Sequence, residues 1–235
     1  MKFYGDAPYA SMEMKYDPLQ HELLVKTLKE QNITVAIETG TYLGLGSTTN
    51  LAKAFIEAQI VNPKVFTMEA NSESYYKAKD NLKLYSFIEP LFGCSLTMEH
   101  INKIADDEAL IHPENYPDVY LDFRDNQDGR QGYIAESIGA GLDNNNKDWK
   151  GFNLLPDLLN MYKHYNPLIL LDSAGGLGKL EFEATMEIMK DNDFVMLLDD
   201  VEHVKHFRSL EYIKQSSNFE LVATQNGWAL AIYKA

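Results

Sequence analysis

The chain has 235 residues, 45% hydrophobic and 24% charged, a balance that excludes disordered and fibrous classes. Its formal net charge of −14 repels phosphate backbones and anionic bilayers, which excludes nucleic acid and membrane as principal partners. Cys94 is the only cysteine, so an intramolecular disulfide and a cysteine-rich metal site are excluded as well.

The length fits a single domain spanning 1–235. Met1 to Tyr16 is polar and carries no apolar leader, and no apolar run approaches the ~20 residues that span a bilayer. A cytoplasmic protein is the expectation. The tyrosine-bearing N-terminal segment, 1–17, precedes the first predicted element.

Leu19, Leu23, Leu24 and Leu28 recur at helical spacing and predict a helix before a first strand, Ile33–Glu38. Leu51, Phe55 and Ala58 predict a second helix. A second strand over Lys64–Glu69 leads into a helix with Tyr75, Ala78, Leu82 and Tyr85 on one face and Ser72 as its expected N-cap. A third strand follows at Ile88–Phe92. Asp122 to Lys150 breaks the pattern, being rich in Asp, Asn and Gly, and is expected to form a loop insertion, a candidate substrate lid. Its run Asp125–Gly129 fails as a calcium loop, because counting back from Gly129 puts Arg124 at the first ligand position and Ala135 at the twelfth. Strands are again predicted at Leu168–Asp172, Phe194–Asp199, Glu220–Thr224 and Trp228–Tyr233. This alternation predicts an α/β fold: a doubly wound, Rossmann-like, mostly parallel seven-stranded sheet with helices on both faces.

The densest chemical signal is Glu38-Thr39-Gly40-Thr41-Tyr42-Leu43-Gly44-Leu45-Gly46-Ser47-Thr48, a turn between a hydrophobic strand and a helix. Glycines there permit tight turns and close ligand approach, and the helix presents open N–H groups to an anion. One strand later, Glu69 ends its strand where a carboxylate can accept both hydroxyls of a ribose, so an adenosine-containing ligand is implied. A dinucleotide fingerprint fails in both registers: starting at Gly44 its third glycine is Thr49, and starting at Gly40 its second is Tyr42. Glu38, two residues before the first glycine, would repel a pyrophosphate but orient a cationic amino-acid ligand, which favours S-adenosylmethionine over NAD.

With these motifs the chain resembles the class I S-adenosylmethionine-dependent methyltransferases over about Ile33–Thr97 and Leu168–Tyr233. The resemblance implies that Glu38, Gly40, Thr41 and Gly44 surround the methionine moiety, that Glu69 holds the ribose and that Ser95 lies beside the adenine. The chain departs from many relatives after the third strand, where Gly93-Cys94-Ser95 supplies a thiol and a hydroxyl instead of an acid.

Two further strands end in acids, Asp172 and the pair Asp199-Asp200. If the strand order is that of the methyltransferases, three carboxylates converge beside the cofactor, and their repulsion calls for a cation. An all-oxygen set suits Mg²⁺ or another divalent cation. The arrangement is similar to that of metal-dependent O-methyltransferases of the macrolide-sugar and catechol type, which implies Asp172, Asp199 and Asp200 as metal ligands and a small-molecule acceptor oxygen activated by the metal. Downstream, His203 and His206 are predicted to sit one turn apart on a helix starting at Asp200, so one of them is a candidate general base, with Asp172, Asp199 and His203 as the catalytic set. Two other readings stand beside this one: a non-haem iron hydroxylase using Asp200, His203 and His206, and a non-catalytic S-adenosylmethionine-binding module. Tyr4, Tyr9, Tyr16, Tyr133 and Trp149 are candidates for an aromatic acceptor pocket. Oligomeric state is not encoded in any feature of the sequence.

Overall fold

Three runs of this chain, Leu168–Leu171, Phe194–Leu198 and Trp228–Tyr233, are too uniformly apolar for a half-exposed strand, and in the computed structural model each lies inside one sheet with both faces covered. The structure describes residues 2–8, 10–11, 14–123, 129–139 and 146–235. The sheet strands are β1 (Val35–Thr39), β2 (Lys64–Glu69), β3 (Ile88–Phe92), β4 (Leu168–Leu171), β5 (Phe194–Leu198), β6 (Phe219–Gln225) and β7 (Trp228–Tyr233). Their order is β3-β2-β1-β4-β5-β7-β6. The first five are mutually parallel, and β7 pairs antiparallel with both β5 and β6. The predicted seven-stranded, doubly wound α/β class is the one observed.

Alternation along the central strands divides the core in two. Ala36, Val65, Leu168, Leu170, Val195 and Leu197 face α1 (Pro18–Glu30) and α2 (Ser47–Glu57), where they meet Leu24, Leu28, Leu51 and Phe55. Their neighbours Ile37, Met68, Ile169, Leu171 and Met196 face the other way and pack with Leu155, Leu159, Phe182, Met189 and Ile213. Those five come from α7 (Leu154–Tyr162), α8 (Gly178–Met189) and α9 (Phe207–Gln215). α3 (Ser72–Asn81) links β2 to β3.

Several expectations shift in detail. Leu19 is 40% exposed; α1 turns Gln20, Leu24, Val25, Thr27 and Leu28 inward instead, because Asp17 caps Leu19 and Gln20 and Pro18 starts the helix. The cap of α3 is Asn71, whose Oδ1 accepts the Ser74 N–H at 3.0 Å, not Ser72. The Asp122–Lys150 insertion is not purely loop, since it contains α6 (Gly129–Ile138). Between β3 and this helix lie the short α4 (Met98–Asn102) and α5 (Glu108–Ile111), and together they enclose a third core with Leu96, Ile101, Ile104, Tyr133, Leu177 and Val204. The rejected calcium run, apart from Gly129, lies outside the described residues, as does Tyr9. Lys2–Phe3 pairs in parallel with Tyr120–Leu121 and ties the N-terminal segment to this third core. Among the described residues no helix is long and apolar enough to cross a membrane.

Candidate active site

The order of the sheet reverses between β1 and β4, and loops leaving the carboxyl ends of such strands diverge to leave a crevice. A cavity of about 870 Å³ opens there. It is lined by the glycine loop after β1, by Glu69 to Asn71 after β2, by Gly93 and Ser95 after β3, and by Asp172, Asp199 and Asp200 after β4 and β5. Tyr4, Asp122 and Glu136 border it from the N-terminal segment and the insertion. That volume lies in the range of enclosed small-molecule sites.

The glycine loop is shaped mainly by its protein neighbours. Gly40 has φ +79°, and a Cβ there would lie 2.1 Å from the Asp172 carbonyl oxygen, so only glycine lets the β1 loop cross the end of β4. Gly44 has φ +73° and abuts Leu82 of the segment after α3. α2 begins behind Gly46, which supplies no side-chain cap, so the first-turn N–H groups at Ser47 face the cavity without a capping side chain. Thr41 is buried, and its hydroxyl bonds that of Thr67.

Glu38 does not line the cavity. It is fully buried beneath the loop, with Oε2 accepting the Thr48 hydroxyl at 2.7 Å and Oε1 without a hydrogen-bond partner among the described residues. Burial pushes its carboxyl up to about 7, against the opposing pull of the Thr67, Thr48 and Ser47 hydroxyls. A carboxyl that ionises near 4.5 in the unfolded chain and about 7 in the folded one favours the fold only while protonated, so stability falls as pH rises through that window. Glu38→Gln is expected to remove this slope and to raise the thermal midpoint above wild type at pH 8, by an effect worth roughly 3 kcal/mol at most. Parallel melting-versus-pH curves for the two proteins would count against it.

Glu69 stands differently. It borders the cavity, and its two oxygens accept the N–H groups of Tyr42 and Asn71, each at 2.7 Å. Burial raises its carboxyl above the usual range, and those backbone N–H groups offset the rise only in part. Each oxygen keeps a further lone pair for a ligand hydroxyl. Ser95 is committed elsewhere, donating its hydroxyl to Glu181 of α8, and Cys94 is buried with its thiol against the Ser137 carbonyl at 3.6 Å. Glu181 also accepts from Thr39 at 2.9 Å and Ser173 at 2.7 Å, so one buried carboxylate ties together the ends of β1, β3 and β4. Nothing in the sequence singled it out, because a lone Glu in a helix normally marks a solvated face.

The structure brings Asp172, Asp199 and Asp200 together, with one oxygen of each within 4.8 Å of the others. It also places a residue there that the sequence reading missed. The Lys205 ammonium lies 3.0 Å from Asp172 Oδ1 and 2.9 Å from Asp200 Oδ2. Burial alone would depress this ammonium, yet Asp200, Asp172 and Asp199 outweigh it and hold Lys205 well above the usual lysine range. Asp200 sits at φ +57° and receives the Tyr4 hydroxyl on Oδ1. Burial works to raise it, but Lys205 and Tyr4 keep it below the usual range. Asp199, facing two other carboxylates and with no ion pair among the described residues, is driven well upward by burial and by Asp172 and Asp200. The donor set as it stands does not fit a divalent metal: an ion reaching both Asp172 and Asp200 would have to displace a buried lysine.

The two histidines do not share a helix. Residues 201–206 form turns, α9 starts at Phe207, and the histidines diverge. His206 is fully buried, 3.2 Å from the Leu171 carbonyl and 3.3 Å from Ser209, and burial followed by Lys205 holds it well below the usual histidine range, hence neutral. His203 Nδ1 accepts the Lys205 N–H at 3.2 Å, which leaves the ring proton on Nε2, 3.2 Å from Asp122 Oδ2. A facial triad of Asp200, His203 and His206 is therefore not formed, and the iron-hydroxylase reading is corrected: the only cluster of this kind among the described residues is the three aspartates. Both nitrogens of His203 are engaged, and His203 and its partner Asp122 both line the cavity. Of the aromatic candidates, Tyr4 lines the cavity, Tyr16 an adjoining recess, Tyr133 is fully buried behind the wall, and Trp149 packs on Phe92.

No family model and no curated protein matches the sequence. Solved structures do match the fold. An O-methyltransferase of Bacillus cereus in complex with SAH superposes with a TM-score of 0.52 at 16% identity, covering 94% of this chain and 83% of that one. A Klebsiella pneumoniae protein described as an O-methyltransferase gives 0.53 at 13%, covering 94% and 82%. A Staphylococcus aureus protein described as a caffeoyl-CoA O-methyltransferase gives 0.50 at 16%, covering 93% and 85%. The chain has the Rossmann-like fold of these proteins over nearly its whole length.

Proposed function

We propose that this chain is an enzyme that transfers a methyl group from S-adenosylmethionine to an oxygen of a small molecule. The observation that carries the reading is Glu69: a carboxylate pinned by two backbone N–H groups, with lone pairs left over, at the ribose position of a fold whose Bacillus cereus neighbour holds SAH. The open first turn of α2 suits the carboxylate of the methionine end. Ser95, bound to Glu181, shapes the adenine end without contacting the ring through its hydroxyl. Ala135 to Gly139 flank that end, and the described parts of the insertion and of the N-terminal segment border the cavity of a single catalytic unit, 1–235.

The acceptor binds beside Asp172 and Asp122. Its oxygen attacks the sulfonium methyl in line; the C–O bond forms, the C–S bond breaks with its electron pair onto sulfur, and the hydroxyl proton passes to one of these carboxylates. Mg²⁺, the cation suggested by the three aspartates, is not needed to balance the step.

Calorimetry of the purified chain tests the reading. S-adenosylmethionine or its demethylated product is expected to bind with a micromolar dissociation constant, about −8 kcal/mol, and NAD far more weakly. A preference for NAD, or no binding at millimolar ligand, would remove the basis for methyl transfer.

A further inference from the structure

We propose that Lys205 is a built-in cation: its ammonium holds the place a divalent metal would take among Asp172, Asp199 and Asp200, and the cluster is complete without an ion. The inference deepens the methyl-transfer reading and rests on it only for the chemistry the ammonium assists.

Three features show a lysine that the fold accommodates on purpose rather than one that strays into an empty site. Its stem runs across the start of α8, where a Cβ on Gly178 would lie 2.3 Å from Lys205 Cγ, so the glycine makes the channel for it. Its backbone N–H is fixed by His203 Nδ1, and His203 is fixed in turn by Asp122. The residue is 4% exposed, and its head meets both flanking carboxylates at hydrogen-bond distance. A lysine would not hold such a buried position unless its charge were compensated, and two aspartates compensate it.

Charge and donors then match the task. An ammonium has three N–H donors; among the described residues Asp172 and Asp200 take two, and the third is available to the cavity that Lys205 borders. An acceptor oxygen placed there meets a fixed positive charge as it loses its proton to Asp172 or Asp122, and this preorganised charge does the electrostatic work assigned to a metal. Unlike a metal, it cannot be stripped out and does not hold two oxygens in one coordination sphere, so acceptors with a single reactive hydroxyl fit as well as vicinal diols.

The test is a Mn²⁺ titration of the full chain followed by electron paramagnetic resonance, on wild type, Lys205→Met and Lys205→Met/Asp172→Asn. Wild type is expected to leave Mn²⁺ free. Lys205→Met is expected to bind one Mn²⁺ with affinity higher by on the order of a hundredfold, since a like charge has gone from between the carboxylates, and adding Asp172→Asn should abolish that binding. A wild-type protein that binds one Mn²⁺ in an Asp172-dependent way overturns the proposal, and so does a folded Lys205→Met protein that binds none. Should Lys205→Met not fold, wild type decides alone: its thermal midpoint should be the same in Mg²⁺ and in chelator, and a rise in Mg²⁺ of several degrees overturns the proposal. Calorimetry with S-adenosylmethionine is read separately, so loss of the methyl-transfer reading leaves the Mn²⁺ result standing.

Discussion

Glu69→Ala is expected to weaken S-adenosylmethionine binding by two orders of magnitude or more. The carboxylate would accept two ribose hydroxyls, and hydrogen bonds to a charged acceptor contribute roughly 1.5–3 kcal/mol each. A second loss adds to the first. The Tyr42 and Asn71 N–H groups, now bound to Glu69 at 2.7 Å, would lose their acceptor, and these two residues belong to the glycine loop and to the cap of α3. Glu69→Gln separates the contributions: it keeps an acceptor for one N–H but loses the charge, and should fall between wild type and alanine. Calorimetry on the three proteins, with circular dichroism to confirm the fold, makes the comparison. Equal affinities in all three would mean that the ribose lies elsewhere.

The sequence made the sheet legible because each central strand is buried on both faces and has to be apolar throughout, which leaves runs such as Leu168–Leu171 and Phe194–Leu198 with no competing interpretation. The acids at the strand ends were legible for a related reason: a charge directly after such a run falls at the carboxyl edge, where ligands gather. What stayed hidden depends on residues distant in sequence. Glu181 is 86 residues from Ser95 and 142 from Thr39, and only the folded sheet edge brings their hydroxyls to it. Asp122 becomes part of the site because Tyr120 bridges His203. Lys205 was hidden by the helix expected to begin at Asp200. In a continuous helix its side chain would be fixed by helical spacing, whereas the turns at 201–206 send it back toward the cluster. A usable signal was present in Gly178, a glycine at the start of a helix with no turn to make, which marks a place where another chain segment passes close. The glycines of the loop after β1 carried the opposite lesson: Gly40 is required by the Asp172 backbone before any ligand binds.

Lys205→Met should cost about 3–5 kcal/mol of stability near neutral pH, and the cost should vanish in acid. Methionine matches the volume of the stem, so packing against Gly178 is kept and the loss is electrostatic. With the ammonium gone, Asp172 and Asp200 are buried charges without a partner, which is the costly way to break a buried ion pair. The sign of the pH dependence follows. In the variant all three carboxylates are disfavoured as anions by burial and by one another, so their folded values rise above the 3.8 of an ordinary aspartate. A group raised in the folded state supports the fold while protonated and ceases to do so as pH climbs through its folded value. Wild type behaves otherwise at Asp200, which Lys205 holds below the usual range against the effect of burial, so its contribution is present above pH 4 and lost below it. The gap in stability between the two proteins should therefore close only below pH 4, as Asp200 is protonated in wild type, and be fully open by pH 8. Urea denaturation at a series of pH values measures it directly. A gap of constant size across that range would mean that Lys205 only fills space, and that the three aspartates are neutralised by something other than its charge.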